Sequence, residues 1–265
     1  MELPDPASAH ATHADAVTAR LRAAGCVFAE EEAALLLDAA AGAELEALIA
    51  RRIAGEPLEL LLGWAEFDGL RVRTARGVFV PRQRSVLLVR LAADALRARS
   101  GASRAVDLGC GTGALGAALS ARVPSAQVWA VDVDPAAVAC ARTNLAPERV
   151  LLGDLFDPLP DHLRGAVDVL VANAPYVPTS RIPLMPPEAR DHEHLVALDG
   201  GADGLDVQRR VIAGAAAWLR PGGVLVVESS RAQAPTSAAL MAAAGLEPRV
   251  VTDDEVGATA VTGHT

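Results

Sequence analysis

From Arg104 onward, short apolar runs alternate with stretches of helical spacing, and that rhythm constrains the chain more than any other feature. Strands are expected at Ala105–Leu108, Val128–Val133, Val150–Leu152, Val167–Ala172 and Val224–Glu228. Helices are expected after Gly113, from Pro135, over about Val207–Leu219 and over Pro235–Ala244. Short strands that are apolar on both faces and separated by helices fit a largely parallel, doubly wound sheet covered on both sides, an α/β fold. Asp134-Pro135 reads as an N-cap followed by a first helical residue. Gly222-Gly223 reads as the stop between a helix and the last strong strand. Pro248–Val251 and Thr259–Thr262 are expected to add two edge strands.

The opening 55 residues read differently, as helices. Val17 and Leu21 are spaced i, i+4, and Leu45, Leu48 and Ile49 are spaced i, i+3, i+4, with Gly25 and Gly42 as punctuation. Apolar positions are so few that a cap or arm with little core of its own is expected. Trp64–Arg73 then alternates, and Val78-Phe79-Val80 runs into Pro81, the pattern of a β-hairpin linker. Helical spacing returns in Val86, Leu87, Val89, Leu91 and Leu96. The expected organisation is a helical domain over 1–60, a β-hairpin linker over 61–82 and the α/β domain over 83–265.

Composition removes several classes of function. A net charge of −9 counts against nucleic acid as the main partner, because such binders carry a basic face. Cys26, Cys110 and Cys140 are scattered without zinc-ligand spacing, so no metal is expected and a reduced, cytoplasmic setting is. Met1–Pro6 lacks the charged and apolar regions of a signal peptide, and no apolar run approaches the ~20 residues that span a bilayer. His192-Glu193-His194 lies in a Pro-rich loop without a further ligand, and is expected to be solvated or substrate-facing. Arg51-Arg52 and Arg209-Arg210 are expected on solvated helix faces, and Trp64, Trp129 and Trp218 in packing roles.

The chemistry concentrates at strand ends. Asp107-Leu108-Gly109-Cys110-Gly111-Thr112-Gly113 puts glycines after a strand and before a helix, where a ligand can approach the backbone and free N–H groups. The same segment also serves as a tight turn with no ligand. Asp132 follows Gly109 by 23 residues and can accept from both hydroxyls of a ribose, or else stabilise the helix start at Pro135. Asp154 and Leu155 follow the next strand, where the acid can meet an adenine amino group and the leucine its face, or where both simply turn the chain. About 65 residues after the glycine segment, Asn173-Ala174-Pro175-Tyr176 ends an apolar strand. There an amide oxygen and the Ala174 carbonyl can grip a planar NH2 group, and Tyr176 can pack on its flat face. A dinucleotide enzyme has no use for that grip, whereas methyl transfer from S-adenosylmethionine to an amide or exocyclic amine does. Asp107 to Gly113 resembles the first motif of class I methyltransferases, with the acid two residues before the first glycine.

Taken as a whole, the chain resembles the release factor glutamine-N5 methyltransferase family of the HemK/PrmC type. The likeness runs through Arg52-Ile53-Ala54-Gly55-Glu56-Pro57-Leu58, Val80-Pro81-Arg82, Asn173 to Tyr176 and Ala197-Leu198-Asp199-Gly200-Gly201-Ala202-Asp203-Gly204-Leu205. It implies a class I fold, S-adenosylmethionine as cofactor with S-adenosylhomocysteine as product, and a protein substrate such as a peptide chain release factor. It implies that Asn173, Ala174, Pro175 and Tyr176 take the glutamine amide. Asp107, Gly109, Gly111, Gly113, Asp132, Asp154, Leu155 and Asn173 would hold the cofactor. The chain departs from the pattern in having Ala174 for the first of two prolines, Gln83-Arg84-Ser85-Val86 for Pro-Glu-Thr-Glu, and Glu228-Ser229-Ser230 for Glu-Ile-Gly. Three other readings remain open at this point: methylation of an exocyclic amine on a nucleic-acid base or small molecule, a non-catalytic cofactor-binding protein, and a nicotinamide-dependent enzyme.

Overall fold

The computed structural model describes residues 6–99 and 101–265, with side chains of the first helix from His13 onward. Met1–Asp5, read above for a leader, lies outside the described residues. Packing divides the chain between Trp64 and Ala65 into two units. The first unit holds helices α1 (Pro6–Ala23), α2 (Ala29–Ala39), α3 (Gly42–Ile53) and α4 (Leu58–Leu62). It encloses a cluster of its own, with Val17, Leu21, Leu36, Leu45 and Ile49 buried. The sequence count of apolar positions left out Ala29 and Ala33, which are buried in the same cluster. Arg52, expected in solvent, is buried against Glu32 with Nε donating at 2.6 Å.

The second unit opens within the hairpin of β1 (Trp64–Phe67) and β2 (Leu70–Arg73), from Ala65 onward. Asp68 and Gly69 turn it, both at positive φ, which suits a two-residue hairpin loop. Phe67 and Val72 bury into the main core, so the hairpin packs with this unit. Val78–Val80 does not continue it as a strand. There follow α5 (Val86–Arg97), β3 (Arg104–Leu108), α6 (Ala114–Arg122), β4 (Gln127–Asp132), α7 (Pro135–Ala141), β5 (Val150–Leu152), β6 (Val167–Ala172), α8 (Pro187–Arg190), α9 (Asp206–Trp218), β7 (Leu219–Glu228), α10 (Ala234–Ala243), β8 (Glu247–Asp253) and β9 (Ala258–His264).

The sheet runs β5-β4-β3-β6-β7-β9-β8, parallel through β7 and antiparallel in the last two strands. Successive side chains of a strand face opposite sides, and β6 obeys that alternation. Val169 and Val171 join the cluster beneath α5 and α6, while Leu170 and Ala172 join the cluster beneath α9 and α10. Covering both faces in this way explains why the strands read as unbroken apolar runs. The helix before β7 ends at Trp218, and Gly222-Gly223 form an irregularity inside β7 rather than a helix stop. The C-terminal strands also differ from expectation: β9 lies between β7 and β8, so only β8 is an edge.

Candidate active site

The order of strands reverses between β3 and β6, and a doubly wound sheet has its crevice at such a reversal, outside the carboxyl ends. Register sets those ends level with one another. Leu108 stands opposite Val131 and Ala172, Asp132 opposite Leu152, and Ala172 opposite Val227. Gly109, Asp132, Gly153, Asn173 and Glu228 therefore form one row along a single sheet edge. A cleft of about 290 Å³ opens there, walled by Gly109, Asp132, Asp154, Leu155, Asn173 and Pro175.

The glycine segment turns tightly at one side of the cleft, with Gly109, Gly111 and Gly113 all in the left-handed region. Gly113 also lacks room for a side chain, since a Cβ would come within 2.9 Å of Leu145 Cδ1. Beneath the turn Asp107 is fully buried. Its Oδ2 accepts from the Gly116 N–H at 3.0 Å, and its Oδ1 has no hydrogen-bond partner among the described residues. Burial pushes the Asp107 carboxyl up to about 7, against the pull of the Gly116 N–H and with a further push from the Asp132 charge.

Asp132 accepts from the Gly111 N–H at 2.8 Å through Oδ2 and from the Asp134 N–H at 2.9 Å through Oδ1. Each oxygen keeps a second acceptor position. Burial raises its pKa while those backbone N–H groups oppose the rise. Asp134 caps α7 as expected, accepting from the Ala136 N–H at 2.8 Å. Asp154 and Leu155 also reach the cleft, with Leu155 at φ 49°. Asp154 is not unpartnered there, because Arg210 Nη2 donates to its Oδ2 at 2.7 Å. Arg210 is thus a rim residue rather than part of a bare solvated face.

Asn173 follows the last residue of β6, and its Nδ2 donates to Ser85 Oγ at 3.1 Å. Ser85 Oγ in turn donates to Glu228 Oε2. Arg84 Nε and Tyr176 Oη both donate to Glu228 Oε1 at 3.0 Å, and Arg84 Nη2 donates to Tyr176 Oη at 2.7 Å. Burial first, and the Glu228 charge second, push the Tyr176 hydroxyl up to about 12. Among the described residues no donor bonds Asn173 Oδ1 or the Ala174 carbonyl.

The tetrapeptide is backed by the glycine-rich loop after it. The Gly200 N–H donates to the Val177 carbonyl at 2.9 Å, and Gln233 Nε2 donates to the Tyr176 carbonyl at 3.0 Å. A Cβ on Gly200 would stand 2.7 Å from the Pro175 carbonyl oxygen, and one on Gly204 2.3 Å from that of Tyr176. On the other side Glu193, expected in solvent or facing substrate, is buried and accepts from the Val80 N–H at 3.1 Å and Arg82 Nη2 at 2.7 Å. Its neighbour His194 bonds Asp134 through Nδ1 at 2.6 Å.

Sequence reasoning named Ser85 and Glu228 only within segments that depart from the family pattern and gave neither a role in the site. The signal was present in Glu228, a carboxylate closing the apolar run Val224–Val227, where an acid is tolerated only with partners. A side-chain-free glycine turn, a ribose-competent acid and a buried carboxylate oxygen without a partner together fit a nucleoside that carries a cationic amino-acid tail, which describes S-adenosylmethionine.

Comparison with known proteins agrees. The family model described as methyltransferase small domain matches residues 69–183. A release factor glutamine methyltransferase of Gloeobacter violaceus is 44% identical over 206 residues, covering 75% of this chain and 71% of the relative. One of Deinococcus radiodurans is 37% identical over 255 residues, covering 89% of this chain and 91% of the relative. Among solved structures, the T. thermophilus 16S rRNA N2 G1207 methyltransferase, in complex with AdoMet and guanosine, matches with a TM-score of 0.54 at 25% identity. That match covers 76% of this chain and 49% of the other, so the chain spans about half its length. Identity sustained over most of both sequences, on a class I methyltransferase sheet, makes this chain a member of the release factor glutamine methyltransferase family, an enzyme that uses S-adenosylmethionine.

Proposed function

We propose that the chain methylates the side-chain amide nitrogen of a glutamine in a protein, and that the protein is a peptide chain release factor. The observation that carries this reading is the pair of acceptors at the end of β6, Asn173 Oδ1 and the Ala174 carbonyl, unoccupied by described donors beside the cleft. A primary amide nitrogen is a poor nucleophile because its lone pair is delocalised. Two acceptors that each take one N–H fix that nitrogen and favour the positive charge that develops on it. S-adenosylmethionine supplies a methyl group already activated by its sulfonium. The residues of the chain therefore orient and desolvate.

Asp132 takes the ribose hydroxyls with its spare acceptor positions, the Gly109–Gly113 turn takes the amino-acid tail above Asp107, and Asp154 and Leu155 flank the adenine. Asp154 does so with the oxygen that Arg210 leaves open. Pro175 stiffens the turn, and Tyr176 packs on the amide face. With its hydroxyl near 12, Tyr176 keeps its proton and serves no role as base. The surplus proton leaves to water after transfer. Replacing a proline with Ala174 retains the carbonyl, which is the part the grip requires. The exposed Val27 and Phe28 of the helical unit offer apolar surface to a protein partner. No described helix is long and apolar enough to cross a membrane, and the scattered spacing of Cys26, Cys110 and Cys140 supports a cytoplasmic site of action.

The test incubates the protein and labelled S-adenosylmethionine with release factors and, separately, with nucleic acid, and locates the label by mass spectrometry. Label is expected on a release-factor glutamine. It should fall about 10²–10³-fold in Asn173→Ala, with cofactor affinity retained. Label on a base alone, or full activity in Asn173→Ala, would overturn the reading.

A further inference from the structure

We infer that Ser85 and Glu228 are positioning residues that decide which end of the Asn173 amide the cleft meets. The inference rests on the reading of Asn173 as an acceptor for the substrate amide. An asparagine side chain is nearly symmetric in shape but opposite in hydrogen-bonding sense at its two ends, and only its oxygen can take an N–H. Nothing in Asn173 itself selects the orientation, so a neighbour must.

The selection follows from the donor and acceptor count. Glu228 is buried at 2% exposure, and Arg84 Nε, which can only donate, reaches its Oε1. Tyr176 Oη already accepts from Arg84 Nη2, so its own hydrogen goes to Glu228 Oε1 as well. Glu228 thus acts as acceptor throughout, and its Oε2 takes the hydrogen of Ser85 Oγ. With that hydrogen committed, Ser85 Oγ can only accept from Asn173, which draws Nδ2 toward it and turns Oδ1 away. The polarity of one carboxylate is passed through one hydroxyl to the amide. Arg84 holds the carboxylate end of this relay.

Glu228→Gln tests the direction of the relay. A glutamine would keep its oxygen toward the two donors Arg84 and Tyr176 and turn its NH2 toward Ser85. Ser85 would then accept from residue 228 and donate to Asn173, reversing the amide and presenting an NH2 to a substrate NH2. Ser85→Ala cuts the relay, and Ser85→Thr keeps the hydroxyl.

The experiment measures kcat, KM and S-adenosylmethionine affinity for the three single variants, for Ser85→Ala combined with Glu228→Gln, and for Asn173→Ala. It also records the side-chain amide resonances of Asn173 in the ¹⁵N-labelled, cofactor-free protein, assigned by their loss in Asn173→Ala. We expect kcat to fall about 10- to 100-fold in Ser85→Ala and in Glu228→Gln, with cofactor affinity within about twofold. Ser85→Thr should recover most of the loss. The double variant should be no worse than Ser85→Ala, because among the described residues the hydrogen bonds from Glu228 to Asn173 run through Ser85. The Asn173 NH2 protons should exchange slowly in the parent and at solvent-exposed rates in Ser85→Ala. Multiplied losses in the double variant, or unchanged amide exchange in Ser85→Ala, would overturn the relay. An active Asn173→Ala would instead overturn the substrate grip on which it rests.

Discussion

Gly204 gives the sharpest test of how the tetrapeptide is held. It adopts φ +81°, and an added Cβ would stand 2.3 Å from the Tyr176 carbonyl oxygen and 2.6 Å from Gln233 Nε2. Ordinary contact begins at 3.4 Å, so 3.4 − 2.3 leaves about 1 Å by which the Tyr176 backbone must retreat. A misplacement of ~1 Å in a positioning element costs roughly 10²-fold in rate. The same retreat loosens the Gln233 hydrogen bond, worth about 1 kcal/mol, and the left-handed conformation costs an alanine about 1–2 kcal/mol more. Gly204→Ala should therefore lose about 2–3 kcal/mol in urea unfolding and about 100-fold in methyl transfer, with S-adenosylmethionine affinity unchanged. Gly165→Ala separates the two effects. Gly165 also has positive φ, +66°, but a Cβ there meets nothing within 4 Å, so that variant should pay the conformational cost alone and keep its activity. If the two variants lose the same stability and neither loses activity, the glycine loop does not hold the tetrapeptide and the reasoning fails.

Asp132→Asn converts one of the two carboxylate oxygens proposed to take the ribose hydroxyls into a donor beside a backbone N–H. It should weaken S-adenosylmethionine binding about 10- to 100-fold by calorimetry, as loss of a charged hydrogen bond does, and an unaltered affinity would remove Asp132 from the cofactor site. Asp107 shapes the pH dependence of stability. Its folded value, about 7, lies above the ordinary carboxyl value near 4, so the native state holds the proton more tightly than the unfolded chain. Stability should fall as pH rises from about 4 to about 7, by at most about 4 kcal/mol, and level off above. Asp107→Asn should flatten that slope in urea melts, and equal slopes in parent and variant would contradict the buried-acid account.

The rhythm of the sheet was readable because both faces of every central strand are covered, leaving Val167–Ala172 no reason to mix polar residues into the run apart from Asp168. Asp168 is buried and tied to the Arg104 N–H and to Arg220. The placement of β9 inside the sheet was not readable, because local pattern shows that a segment is a strand and says nothing of which neighbour it pairs with. The same limit hid the Glu228–Ser85–Asn173 chain, whose members come from three separate stretches that meet only in the folded structure. Glu193 was misread for a related reason: its partners, Val80 and Arg82, lie more than a hundred residues away. The position of Asn173 and Asp132 was legible, because strand ends in this topology gather at one edge whatever the rest of the fold does.

The strand order also governs how the sheet meets other chains. Its open edges are β5, only three residues long, and β8, which carries Pro248, Arg249 and Asp253. Short length, charge and proline are the features that keep a free edge from templating another strand. By pairing along β7 from Val224 to Glu228, β9 keeps that apolar strand from being an edge itself. Removal of the β8–β9 hairpin would expose that strand, and the cost would be measured first in aggregation, before any change in chemistry could be assayed.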